Sequence, residues 1–355
     1  VHFDDGQVPA EYSKHIRRKL FFIFAGIFLT AAMLIISIGM GPVSISAPET
    51  LFTLLGDTIS RRFDLIIWNI RLPQALTALV AGAGLSVSGA VMQAILRNPL
   101  GSPFTLGISH AAAFGAAVSV MLLDLGTMAS SNVGAVTINS PYMTTAIAFG
   151  FSLIATFAII AISRLRRATP EVMVLTGVAL GALFTAGTMF LQYFADDVQL
   201  AAMVFWTFGD VARATWTELG IISVVTAAAY IWFTLNRWNF NAIEAGDETA
   251  KGLGVKVEQI RLTGMLLASL VTSVIVSFLG IIGFVGLVCP HMVRRLIGDD
   301  YRFLLPASCI LGAVLLLAAD TAARLMLAPN VLPVSVLTAF LGAPIFIWLI
   351  IKGNK

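Results

Sequence analysis

Ten apolar runs alternate with short polar stretches, at about 20–41, 72–96, 104–123, 142–163, 171–194, 217–235, 262–282, 283–297, 304–327 and 332–351. Most approach the ~20 residues that a helix needs to cross a hydrocarbon core; the eighth is short. The pattern predicts an all-α integral membrane protein with ten transmembrane helices, built as a single domain over residues 1–355. The second and third runs are joined by RNPLGSP, where Pro99 and Pro103 end the helices. Pro290 is expected to break the eighth helix.

Two polar stretches are long enough for structure of their own. Residues 42–70 hold Ser46 and Pro48-Glu49 ahead of an apolar periodic run, which predicts a short surface helix. Residues 236–261, NRWNFNAIEAGDETAKGLGVKVEQIR, form the longest polar connector. Good helix formers over 242–253 predict one short amphipathic helix, stopped by Gly252 and Gly254. A solvated connector is the plain alternative, but ordinary connections are shorter, so a docking surface is the functional one.

The second run differs from a plain apolar rod. Gly82, Gly84, Ser86, Ser88 and Gly89 let other helices come close, so it belongs inside a bundle. The amides of Gln93 and Asn98 sit where lipid offers no partner. Asn98, Pro99 and Gly107 read as structural, with the Asn98 amide free to satisfy backbone groups that the prolines release.

Composition agrees. The chain is 58% hydrophobic and 12% charged, against about 25% charged in soluble domains. With the N-terminus inside, 17 of the 22 Lys and Arg fall on inside segments: Lys14, Arg17, Arg18, Lys19, Arg97, Arg164, Arg166, Arg167, Arg237, Lys251, Lys256, Arg261, Arg294, Arg295, Arg302, Lys352 and Lys355. That bias puts both termini in the cytoplasm, with 1–19 as a cytoplasmic tail. The first apolar run is too long for a signal-peptide core and reads as a retained helix. Arg61, Arg62, Arg71, Arg213 and Arg324 are left on the outward side. Cys289 and Cys309 lie in apolar surroundings and read as packing residues.

Catalytic chemistry has little to stand on. There is no GxxxxGK[ST], HExxH or CxxC, and only four histidines occur. No metal site, catalytic residue or nucleic-acid partner is expected. His291 either marks a contact near a cytosolic partner or satisfies backbone freed by Pro290. His110 either lines a pathway or makes a buried hydrogen bond. Asp320 and Arg324 stand at i, i+4 on one helix face: they pair with each other, or Arg324 reaches outward to an acidic partner. Asp320 is the one acidic residue deep in a span, which disfavours an ion-coupled carrier and favours a pore driven from elsewhere. Such a carrier, and a membrane scaffold without transport, are the competing classes.

The blocks RLP…GAGLSVSGAVMQAILRNPLGSPFTLGIS, GIIGFVGLVCPHMVRRLIGDDYRFLLP and LLLAADTAARL…LPVSVLTAFLGAPIFIWLI, with the connector AIEAGDETAKGLGV, occur in this order across nearly the whole chain. They resemble the permease subunits of cobalamin and iron-siderophore ABC importers, the ten-helix type II class. The resemblance implies a multi-pass protein of the inner (cytoplasmic) membrane, surrounded by membrane lipid and paired with a second permease copy or with a related permease. It implies two cytosolic ATPase subunits that bind ATP and Mg, an extracytoplasmic substrate-binding protein, and no cofactor in this chain. The ATPase-coupling residues would be Ala242, Glu244, Gly246, Glu248, Thr249, Leu253 and Gly254. Arg61, Arg62 and Arg324 would receive the binding protein. A translocation pathway would be lined by Gln192, Phe205, Trp206, Phe208, Gly209, Ser335 and Thr338; belt aromatics are the alternative for Trp206 and Phe208. Gln93, Asn98, Pro99, Gly107, Pro290, His291 and Asp320 belong to the structural motifs. His110, Ala111, Gly101, Val331 and Ser335 depart from the commoner pattern. The cargo stays open: ferric siderophore, haem, cobalamin, or an oxyanion such as molybdate.

Overall fold

Helices occupy all ten apolar runs in the computed structural model, which describes residues 10–41, 43–57, 60–122, 141–165, 169–327 and 330–352. The tail up to residue 9, Arg166, Arg167 and Lys355 fall outside these. The order is α1 (Ala10–Gly39), α2 (Ala47–Leu54), α3 (Arg61–Ile66), a π-turn (Ile67–Arg71), α4 (Leu72–Leu96), α5 (Ile108–Leu122), α6 (Pro141–Leu165), α7 (Pro170–Phe194), α8 (Asp197–Thr207), α9 (Trp216–Leu235), α10 (Arg237–Glu244), α11 (Asp247–Gly252), α12 (Val257–Leu279), α13 (Val285–Ile297), α14 (Tyr301–Met326) and α15 (Val334–Lys352). Among the described residues, seven helices are long and apolar enough to cross a membrane; α5 and α15 are shorter apolar helices.

Three boundaries differ from expectation. The first helix begins at Ala10, so the basic half of the tail is helical rather than loose. The helix formers Ala, Glu, Lys and Arg carry it past the apolar run. Helix α4 is preceded without a break by α3 and the π-turn. Helix α13 runs straight through Pro290, so the expected break is absent.

Pro290 still leaves a mark. Its ring supplies no N–H to the carbonyl four residues back, which is that of Gly286. That oxygen faces α4, and a Cβ built on Gly89 would lie 1.7 Å from it. The two backbones therefore touch, and only glycine fits at Gly89. Gly82 and Gly312 repeat the arrangement between α4 and α14, each within 2.3 Å of where the other's Cβ would collide with backbone oxygen. Helix α4 is accordingly the centre of the bundle, with 78% of its most apolar window buried.

At the start of α5, Gly107 has φ +78 and its Cβ would meet Gly181 Cα at 2.7 Å, so α5 and α7 also meet through glycine. Asn98 closes the α4–α5 turn by accepting from the Leu100 amide at 2.9 Å. Arg97 ends α4 in the left-handed conformation, before either proline is reached. The predicted surface helix is α2, whose Ser46 forms a capping box with Glu49.

Basic residues of the α4–α5 turn, α6, α10–α11 and α13 share cavities at one end of the bundle, called here the basic end. The far end holds α2, α3 and the junction of α8 with α15.

We expect Gly89→Ala to lower thermal stability by about 1–3 kcal/mol, the usual cost of overpacking. Gly220→Ala, in a helix where nothing lies within 4 Å of the added carbon, should be neutral or stabilising. A detergent melting series on the two variants checks both.

Candidate functional site: the 236–261 segment and the far-end wall

The single helix expected over 242–253 is instead two, α10 and α11, set at an angle by Gly246. This residue adopts φ +122, a conformation that side-chain-bearing residues avoid, so α10 stops at Glu244. The inner face of the segment is built in. Phe240, Ala242, Ile243 and Ala250 are buried, and the Phe240 ring packs on Tyr301 at 5.6 Å. Asn241 accepts from the Tyr301 amide at 2.9 Å and donates to Asp300 at 3.2 Å. Glu244 pairs with Arg294, which also reaches Asp299 at 3.1 Å and the Tyr301 hydroxyl. Asp247 takes both its oxygens to Arg261 Nη2, at 2.8 and 3.0 Å. Arg261 Nε in turn donates to the Ile95 carbonyl at 2.8 Å.

Electrostatics follow these partners. Burial pushes the Glu244 carboxyl above its ordinary range, and Arg294 pulls it part of the way back. Burial also raises Asp300, but hydrogen bonds from Arg302 and Asn241 outweigh it and leave the carboxyl below the usual value.

The outer face is different. Glu248, Thr249, Lys251, Gly252 and Gly254 are exposed, and Leu253 is 71% exposed between two glycines. An apolar side chain held out on a rigid polar segment is a contact in waiting. Of the seven predicted coupling residues, Glu248, Thr249, Leu253 and Gly254 share this outer surface. Ala242 and Glu244 face inward, and Gly246 is the bend. Beside the segment, a cavity of about 490 Å³ is lined by Gln93, Arg97, Asn98, Pro99, Glu244, His291, Arg294, Arg295 and Asp299. Gln93 reaches across to the Leu287 carbonyl at 3.2 Å. His291 packs edge-on against Phe346 at 6.2 Å, and its Nδ1 is buried without a partner.

At the far end, the predicted pathway residues separate into two groups. Trp206 is 2% exposed and packs on Ala112, Ala116, Ala148 and Val276, so it is a core residue of this structure. Gly209 and Thr338 are buried as well. Gly209 donates its amide to Ser335 Oγ at 3.0 Å, and a Cβ there would strike Ile281 O at 2.4 Å. These contacts weld the end of α8 to the start of α15. Gln192 is half-buried on α7, and Phe205 is exposed and meets Phe208 edge-to-face at 5.9 Å. Ser335 opens on a shallow, largely apolar hollow of about 580 Å³ with Val336, Ala339, Phe340, Ala343 and Pro344.

The outward arginines divide likewise. Arg61 and Arg62 are exposed at the start of α3. Arg324 is 7% exposed and shows the pairing alternative: it pairs with Asp320 at 3.1 Å and donates to Ser37 O, Ser37 Oγ and Met40 O. Gln74 completes the group by donating to the other Asp320 oxygen at 2.9 Å. Arg71 is buried too, and donates to Ile38 O and Gly39 O, each at 2.9 Å, and to Val43 O. Arg213 spans Phe205 O, Trp206 O and Phe208 O. The roles of Arg71 and Arg213 escaped the sequence reading. The available signal was a lone arginine just beyond a helix end on the side that disfavours positive charge.

A helix-end clamp at one pole and a bend-jointed polar segment at the other suit a bundle that moves as a body. The family model described as the FecCD transport family matches residues 29–352. The chain belongs to that family. It is a transport permease and not an enzyme. It is 52% identical to a protein of Methanocaldococcus jannaschii assigned as an ABC transporter permease, over 98% of this chain and 99% of that one. It is 37% identical to the hemin transport system permease protein HmuU of Yersinia pestis, over 91% of this chain and 94% of HmuU. A structure described as an inward-facing conformation of a metal-chelate type ABC transporter superposes with a TM-score of 0.81 at 30% identity, over 93% of this chain and 98% of that chain. With the apolar helices, this makes the chain a multi-pass membrane protein.

Arg324→Glu removes the donor to Ser37 O and Met40 O and sets a second carboxylate beside Asp320, and we expect it to cost about 3–5 kcal/mol, the range for a broken buried pair. Loss of monodisperse protein on size exclusion is the readout. Arg62→Glu, at an exposed site, should give wild-type yield.

Proposed function

We propose that the chain is the permease of an ATP-driven importer for a bulky metal chelate or corrinoid, and that it works by alternating access as one of two copies. In this reading ten helices cross the inner membrane and both termini lie in the cytoplasm. Two ATPase subunits dock on the 236–261 segments, and a substrate-binding protein docks on the far end. The observation that carries the reading is the two-sided character of α10–α11. Its inner face is tied by Asp247–Arg261, Glu244–Arg294 and Asn241–Tyr301 to α12, α13 and α14. Its outer face offers Glu248, Thr249 and Leu253. A push on that outer face passes to the spans without a loose linker to absorb it.

The cargo class rests on the relatives, which include a hemin permease and a metal-chelate type transporter. Pathway candidates keep to the surfaces left open: Gln192, Phe205, Phe208 and Ser335. The second copy is supported by the apolar residues that α7 and α15 leave uncovered, among them Phe190, Tyr193 and Phe340.

Leu253→Asp should uncouple the machine. ATP hydrolysis by the reconstituted complex should continue while ATP-dependent uptake into liposomes falls at least tenfold, with the permease still folded. Unchanged uptake would overturn the coupling assignment. Arg62→Glu should weaken binding of the delivery protein, with the largest difference from wild type at low salt, where screening is weakest. Equal affinities at low ionic strength would remove Arg62 from the docking surface.

A further inference from the structure

A second cavity at the basic end, of about 530 Å³, is lined by Arg164, Lys251, Lys256, Glu258 and Gln259 over a floor that includes Val255, Val257 and Leu262. Its three cations come from three places: the last turn of α6, helix α11, and the connector that enters α12. Among the described residues Glu258 is the one carboxylate lining it, so the rim carries an excess of positive charge. Lys251 shares its charge with Glu248 at 2.8 Å, which leaves Arg164 and Lys256 as the main source.

Two further features point to an anion. Helix α12 starts in this cavity; its first amide, Val257, donates to Val255 O at 3.0 Å, and no side chain among the described residues caps the amides that follow. Uncapped first-turn amides carry the positive end of the helix dipole. The cavity also adjoins an open apolar strip. On α6, Ile154, Phe157, Ile162 and Leu165 are all exposed, Leu165 at 83%, and their helical spacing puts them on one face that runs down to Arg164. A cationic rim, a helix N-terminus without a side-chain cap and an apolar strip together match a phospholipid better than a soluble anion, which has no use for the strip.

We propose that this cavity holds the phosphate of an anionic phospholipid. Arg164 and Lys256 face the phosphate oxygens, and an acyl chain lies along Ile154, Phe157 and Leu165. Because Lys251 belongs to α11, the headgroup sits against the segment assigned to coupling. The site itself does not depend on that assignment.

The test is native mass spectrometry of the full chain with its ATPase partners, extracted from membranes containing phosphatidylglycerol. Wild type should retain phosphatidylglycerol through detergent exchange. Arg164→Gln with Lys256→Gln should retain it roughly thirtyfold less, as expected for two juxtamembrane cations. Arg164→Lys with Lys256→Arg should hold it, and Arg17→Gln with Arg18→Gln, which removes as much charge elsewhere on this end, should leave it unchanged. Equal loss in that control, or wild-type retention in the first double variant, would overturn the proposal. So would displacement of the lipid by inorganic phosphate, which would mark a soluble-phosphate site. Dissociation of the ATPase from the first double variant with lipid retention unchanged would assign the cavity to the partner protein instead.

Discussion

Where no water reaches, the last carbonyls of a helix must find donors inside the protein. At the end of α1 those donors are two guanidiniums, Arg71 from the π-turn before α4 and Arg324 from α14. Positive charge is favoured at a helix C-terminus, and the planar fork of arginine reaches several carbonyls at once. Arg324 is kept in place by Asp320, and Asp320 by Gln74. Three helices are thereby joined by polar contacts at the far end, while glycine contacts join them deeper in the bundle. Arg213 does the same for α8. Three of the five outward arginines are thus accounted for by the backbone.

Helix α4 links this clamp to the opposite pole. Arg71 adjoins its beginning, and its Ile95 carbonyl receives Arg261, which also holds Asp247 of α11. Twenty-five residues of helix separate the two, roughly 37 Å at 1.5 Å per residue. Gly82 and Gly89 press this rod against α14 and α13 with no side chain between. Interfaces packed in this way shift as bodies and do not deform gradually.

Much of this was legible in the chain. Apolar runs located the seven helices that, among the described residues, are long and apolar enough to cross a membrane, because length and hydropathy are direct consequences of the bilayer. The small-residue stripe in 72–96 announced its burial, and Ser46 with Glu49 announced α2. What sequence alone missed were choices made by tertiary contact. Gly246 reads as tolerable within a helix until its positive φ is seen. Pro290 reads as a break, yet α13 continues through it, with the carbonyl it frees, on Gly286, set against Gly89 of α4. Glu244 looks like a free surface charge, and only the packing shows that Arg294 is its partner, whereas the i, i+4 spacing of Asp320 and Arg324 already offered theirs. Trp206 has the composition of a wall residue, but its burial depends on small alanines from α5 and α6.

The π-turn at Ile67–Arg71 has a consequence for how α3 is aimed. A wide turn takes up one residue more than an α-turn, and one residue corresponds to about 100° of rotation around a helix axis. Arg71 fixes the phase of the lower part by its hold on α1. The azimuth of Arg61 and Arg62 relative to the rest of the bundle is therefore set by that extra residue. Length changes in the loop before Ser60 leave this bearing intact, whereas loss of a single residue within 67–71 would swing both side chains by a quarter-turn or more. The direction in which this surface faces a visitor is encoded in the count of residues in one turn.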